Sequence, residues 1–182
     1  LMVSTEVAND LVNCLGEGLV AGADNIAIDL NGHTIDGPDY ILGNVSGQEE
    51  GFPAGIRISG HSNVIVRNGT VSAFGYGVLL GPGTTRAIVE DLTISRNAVS
   101  GVELFDADDG RTGNTVQDNR IFDNELGVTL VAGAQNSDIL RNKIHGSFGE
   151  ALFLQNARDH LIEGNEMVGI PTDPNLDSDG GV

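Results

Sequence analysis

Five times along the chain a small residue opens an apolar–x–apolar triplet: GIRI at Gly55, GVLL at Gly77, GVEL at Gly101, GVTL at Gly127 and ALFL at Ala151. The intervals are 22, 24, 26 and 24 residues. A period in this range marks a repeat architecture. Each unit carries two further short apolar runs, such as AIV (87–89) and LTI (92–94), or DIL (138–140) and KI (143–144). Strands this short cannot bury a face alone. Stacked as successive coils they enclose a continuous interior, which is a parallel β-helix. A helical reading fails because β-branched residues fill the runs and Gly or Asn repeatedly interrupts them.

Two-residue alternation sends Ile56/Ile58, Val78/Leu80, Val102/Leu104, Val128/Leu130 and Leu152/Leu154 inward. Asn68, Asn119, Asn142 and Asn165 recur between the second and third runs, with Asp91 in the deviant coil. Asn tolerates the left-handed backbone of a tight turn, and stacked amides form a ladder along the axis. The phrase LVAGADN (19–25) returns as LVAGAQN (130–136). Aligning the two copies adds an earlier coil, opening at Gly16, with Glu17 inward and Asn31 in the ladder column. Phe52, Phe74 and Phe148 each fall three residues before a coil start and are read as a stack of their own.

The expected fold class is all-β: a parallel β-helix over 1–171 of roughly six coils of three short strands, with an Asn ladder. The coils start near 16, 55, 77, 101, 127 and 151, and 38–52 is a loop inserted ahead of the second of these. Residues 172–182 are an acidic tail, or the start of a further coil or linker. Open coil ends would expose unpaired strand edges, so self-association through them is expected.

Charge narrows the partners. Asp and Glu total 26 against 9 Lys and Arg, a net of −17, and Lys143 is the sole lysine. Such a surface repels nucleic-acid phosphates. It fits a salty or calcium-containing exterior, and extracellular or cell-surface placement is expected. Membrane insertion is not expected, since no run of apolar residues is long enough to span a bilayer. Cys14 is the only cysteine, so it forms no internal disulfide and is read as a small core residue.

Repeats such as GVTLVAGAQNSDILRNKIHG, with DLNGHTIDG, resemble the right-handed parallel β-helix proteins of the pectin-lyase-like superfamily, over about residues 16–170. The resemblance implies right-handed winding and contact with polysaccharide. It also implies a catalogue of activities: polysaccharide lyases, glycoside hydrolases and uronate epimerases, beside adhesins, tailspikes and modules without catalysis. In such relatives a Cys upstream could pair with the equivalent of Cys14. Fold alone does not choose among these functions.

The face of the first strands is the candidate site, and polysaccharide or cell-surface glycan is the candidate partner. Its outward row is Arg57, Leu79, Glu103, Thr129, Phe153, and the column before it is Ala54, Tyr76, Ser100, Leu126, Glu150. Arg57, Tyr76, Glu103 and Phe153 are the expected ligand-binding residues: an ion, a carboxylate and two rings that could stack on sugar. Catalytic roles stay unassigned, with Glu103, Glu150 and Asp179 as candidates beside the loop acids Asp106, Asp108 and Asp109. No acid/base constellation is complete, because a glycosidase needs two carboxylates at a defined separation and Arg57 is the one base in the row. His33, His61, His145 and His160 share no column and are read as turn residues.

In the tail, Asp173, Asn175, Asp177 and Asp179 place an oxygen at every second residue, as hard cations require, so calcium is the candidate cofactor. The tail resembles thrombospondin type-3 calcium repeats and, loosely, an EF-hand loop. The alternative is an idle acidic linker. The functional expectation is a binding or scaffolding module. A lyase, hydrolase or epimerase is one alternative, and a structural element of a surface layer or fibre is the other.

Overall fold

The computed structural model describes residues 1–39, 51–105 and 113–168. These wind through about six turns of a parallel β-solenoid, with no helix among the described residues. The first strands form one six-stranded sheet: Leu19–Val20, Ala54–Ile58, Tyr76–Leu80, Ser100–Phe105, Leu126–Val131 and Leu152–Leu154. The second and third runs belong to one bent sheet of eleven strands. They join because Ile65–Ser72 and Ile88–Ser95 pass through the corner unbroken. The coil before these two and the three after them split the run there, as in Asp138–Leu140 and Lys143–His145.

The interior is a set of apolar columns. Ile56, Val78, Val102, Val128 and Ile58, Leu80, Leu104, Leu130 face Val66, Val89, Val116, Ile139 and Val71, Ile94, Ile121, Ile144, each at most 2% exposed. Burying one such side chain contributes about 1.5–3 kcal/mol. Glycine opens every coil before the one at Ala151 because its Cα lies where no side chain fits. A Cβ on Gly77 would sit 2.5 Å from Ile94 Cγ2, and one on Gly101 would sit 2.7 Å from Ile121 Cγ2. The columns end at Leu154, Ile162 and Met167, which are 40–44% exposed in the last described coil.

Polar ladders line all three inner corners, not one. The expected stack is Asn119–Asn142–Asn165: each lower Asn accepts the backbone N–H of the Asn above, at 3.0 and 2.8 Å. A second runs Asn114–Ser137–His160, where Asn114 N donates to Ser137 Oγ at 3.2 Å and Ser137 N to His160 Nδ1 at 3.1 Å. A third is Asn97–Asn124, linked side chain to side chain at 2.8 Å. In each corner an apolar residue holds the place in an earlier coil (Leu92, Ala87 and Phe74), and its backbone N–H donates to the first Asn at 3.0 Å. These side chains satisfy backbone groups that the sheet leaves free where strands break.

Four expectations are corrected by register. Arg67 pairs with Glu90 and Gly69 with Leu92, so Asn68 and Asp91 sit one residue before the ladder column. Asn31 is an exposed turn residue with φ of 50° and is not in that column either. Leu19 pairs with Ile56, which puts Gly18 rather than Gly16 beside Gly55. The repeated phrase is therefore in register at Asn25 and Asn136 but not at its leucines, because the turn in the first coil is shorter. The three phenylalanines do not stack: Phe74 is in the main core, Phe52 packs outside it with Tyr76, and Phe148 is 59% exposed. Cys14 packs against the core, where burial and then Asp36 push its thiol pKa up.

Outside, carboxylates bridge neighbouring coils. Asp10 accepts the Thr34 N–H at 2.9 Å and lies 3.0 Å from His33 Nδ1. Asp24 repeats the arrangement with Ser62 N–H and His61, both at 3.0 Å. The backbone N–H in each, then the imidazole, hold these two carboxyls below the usual range. At Asp29 burial raises the pKa, but Asn31, Arg67 and Asn68 together outweigh it and the net shift is downward. Arg141 lowers Asp118. A carboxyl with a lowered folded pKa stabilises the fold at pH above its unfolded value and loses that contribution as pH falls through the folded value. The melting temperature is therefore expected to hold from neutrality down to about pH 5 and to drop below about pH 4. An Asp10→Asn/Asp24→Asn variant should show a shallower acid slope in a melting-temperature series; identical slopes would remove these bridges as its source.

Candidate functional site

The outward row of the first sheet has the expected register. Arg57 pairs with Leu79, Leu79 with Glu103, Glu103 with Thr129, and Thr129 with Phe153. An open groove of about 840 Å³ crosses these coils. Its floor is apolar, with Leu79, Tyr76 and Leu126, while Glu103, Glu125, Gln155 and Asn156 supply polar groups. Arg57 and Phe105 also line it.

Local folding sets what each side chain can do. The Arg57 guanidinium is held by Glu17, with Nη2 at 2.6 Å and Nε at 2.7 Å from Oε1. The other Glu17 oxygen accepts the Ala54 N–H at 2.9 Å. Glu17 thus points outward, not inward as the aligned phrase implies, and is the acidic partner of Arg57. A guanidinium bonded through two nitrogens to one carboxylate oxygen is poorly placed to remove a proton from substrate. Tyr76 is 7% exposed and packs with Ala54, Leu79, Phe52 and Val99. Its ring is floor rather than a projecting platform. Phe153 is half-buried, in the row but not in the groove wall. Glu150 is exposed and outside the groove, where its carbonyl accepts the Gly127 N–H at 3.0 Å.

A family model for a right-handed β-helix region matches residues 9–167. The chain belongs to the right-handed β-helix family. Its stacked parallel coils agree with that membership. No curated protein and no solved structure gives a significant match.

Within this β-helix the groove gathers Arg57, Tyr76 and Glu103 and leaves out Glu150 and Phe153. Asp106, Asp108 and Asp109 lie outside the described residues, as does most of the 38–52 segment. So do Asp173, Asn175, Asp177 and Asp179. Among the described residues no group of three His, Cys, Asp or Glu side chains could hold a metal ion, and no helix is long and apolar enough to cross a membrane. The histidines are not all turn residues: His145 lies in the strand Lys143–His145, and His160 ends an inner ladder.

Phe105 and Glu125 are groove residues that the row of outward positions missed. The signal for Phe105 was present: alternation along Ser100–Phe105 puts it on the same side as Glu103. Glu125 lies two residues before Gly127, at a coil's entrance, where no period flags it.

Proposed function

We propose that this β-helix is a glycan-binding or scaffolding module of an extracellular or surface protein, and that its ligand lies in the first-strand groove. The observation carrying this is the groove itself, an apolar floor with carboxylates and amides spread over several coils. That combination suits sugars, whose C–H faces pack on apolar surface while their hydroxyls donate to acids and amides. Arg57 is already neutralised by Glu17, so it offers no free cation to an acidic chain. Uncharged chains are favoured there over acidic ones.

A glycan array scored with the wild type, Phe105→Ala and Glu103→Gln tests this. Phe105 is 37% exposed, so its loss should spare the fold. Each variant should weaken binding of a neutral glycan by about tenfold, the weight of one good contact. Equal binding by all three would remove the groove from consideration. Cleavage of any polysaccharide that is lost in Glu103→Gln would instead make the domain a glycosidase or lyase.

A further inference from the structure

Asn68-Gly69-Thr70 is an Asn-x-Thr triplet. In a secreted chain that pattern is the acceptor for an N-linked oligosaccharide, and it belongs on the surface. The one-residue offset between Asn68 and the ladder column is what creates it. The six ladder asparagines, Asn97, Asn114, Asn119, Asn124, Asn142 and Asn165, each have Val, Ile, Leu or Met two places on. None of them is an acceptor. The first five are at most 5% exposed, and a sugar on any of these would have to enter the core. Asn68 stands one residue earlier in its coil, so two places on comes Thr70, which faces outward beside Thr93.

The local geometry leaves room for a sugar. Asn68 lies where Ile65–Ser72 rounds the corner between the second and third runs, and it is exposed, with φ of 64°. Its Nδ2 donates to Asp29 Oδ1 at 3.3 Å. An amide nitrogen carries two hydrogens, and a glycosylated one keeps the second, so this bond and a sugar are compatible. The outer column continues along the axis as Asp91, Asp118, Arg141 and Gly164, none of which competes as an acceptor. The corner joins two runs of the eleven-stranded sheet, so a glycan there stands clear of the first-strand groove. A second triplet, Asn44-Val45-Ser46, lies outside the described residues.

We propose that Asn68 is an N-glycosylation site, modified with an oligosaccharide from a lipid-linked phosphate donor as the chain is exported. In the transfer, Asn68 Nδ2 bonds to the anomeric carbon of the first sugar. The bond from that carbon to the donor's phosphate oxygen breaks, and the lipid phosphate leaves with the electron pair. One amide proton passes to a base of the transferring enzyme. No oxidant or reductant is needed. The site rests on the extracellular or surface placement proposed above, and it is independent of what the groove binds.

Secretion of the chain from a host that glycosylates Asn-x-Thr triplets, followed by intact mass and peptide mapping before and after an N-glycan amidase, tests it. An Asn44→Gln background removes the second triplet. In that background one glycan should map to Asn68. It should be lost in Asn68→Gln and in Thr70→Val, and kept in Thr70→Ser. The Thr70→Val protein keeps Asn68 bare and in place, and should melt within a few degrees of the glycosylated one, because the sugar stands in solvent. Folded, secreted protein with Asn68 unmodified would overturn the assignment. So would a glycan at Asn68 whose carriers fail to fold while Thr70→Val folds, since the corner then has no room for it. The host supplies the secretion, so an empty Asn68 counts against this site and not against the surface placement.

Discussion

Replacing Asn142 with leucine is expected to lower the melting temperature by about 10 °C. Asn142 is fully buried and uses all the hydrogen-bonding capacity of its amide. Nδ2 donates to the Val116 carbonyl at 2.9 Å and to Asn165 Oδ1 at 3.0 Å. Oδ1 accepts the Asn119 N–H and the Asn119 amide, both at 3.0 Å. Leucine fits the volume but strands a backbone donor and a backbone acceptor in the interior. Each costs about 1–3 kcal/mol, so the loss is ~3–4 kcal/mol out of a total of ~5–15. Leu92 shows why leucine is tolerated one coil above Asn119 and not here. It sits within the unbroken strand Ile88–Ser95, paired with Gly69 inside Ile65–Ser72, so the coil before it has no strand break for a side chain to bridge. At Asn142 the strand is broken, and the side chain does that work. Thermal unfolding of the variant measures the effect, and an unchanged midpoint would remove the ladder from the stability account.

The ladder through Asn119, Asn142 and Asn165 was legible because one letter recurs at constant spacing. Its two companions were not, since Asn114, Ser137 and His160 do one job with three residue types. Any side chain that can accept a backbone N–H at that corner will serve, so chemistry repeats while letters do not. Asn68 misled for the converse reason: it recurs as a letter, but it serves the outer turn, with φ of 64°. The outward row from Arg57 to Phe153 was legible because alternation in a strand admits only two faces. What alternation cannot give is depth, and so Tyr76 reads as exposed and is in fact covered by Phe52, Leu79 and Val99. The Glu17–Arg57 pair spans 40 residues and an intervening insertion, and only the register of Leu19 on Ile56 brings it together.

Valine at Gly77 is expected to prevent folding outright. The position has neighbours on both sides: Gly55 in the coil before and Gly101 in the coil after. A Cβ there would lie 2.5 Å from the Gly101 carbonyl oxygen, 2.5 Å from Ile94 Cγ2 and 2.9 Å from Asn97 Nδ2. Two of these three cannot swing aside. The carbonyl is backbone in the next coil, and Asn97 is pinned to Asn124 at 2.8 Å while accepting the Phe74 N–H at 3.0 Å. Relief therefore requires moving a whole coil, which misaligns the columns on either side of it. Overpacking of a tight core costs about 1–3 kcal/mol for modest additions. Three added carbons against backbone should exceed ~4 kcal/mol, in the exceptional range for one substitution. Gly77→Ala should be intermediate. Ala151 is the natural control, because it occupies the same column one coil beyond Gly127 and is half-buried in the last described coil. Ala151→Gly should shift the melting temperature by no more than a few degrees, through chain entropy alone. Circular dichroism of the three purified variants reads the series. A folded Gly77→Val protein with a near-normal midpoint would mean that the coils separate easily, and that the glycine column reflects turn geometry rather than interior crowding.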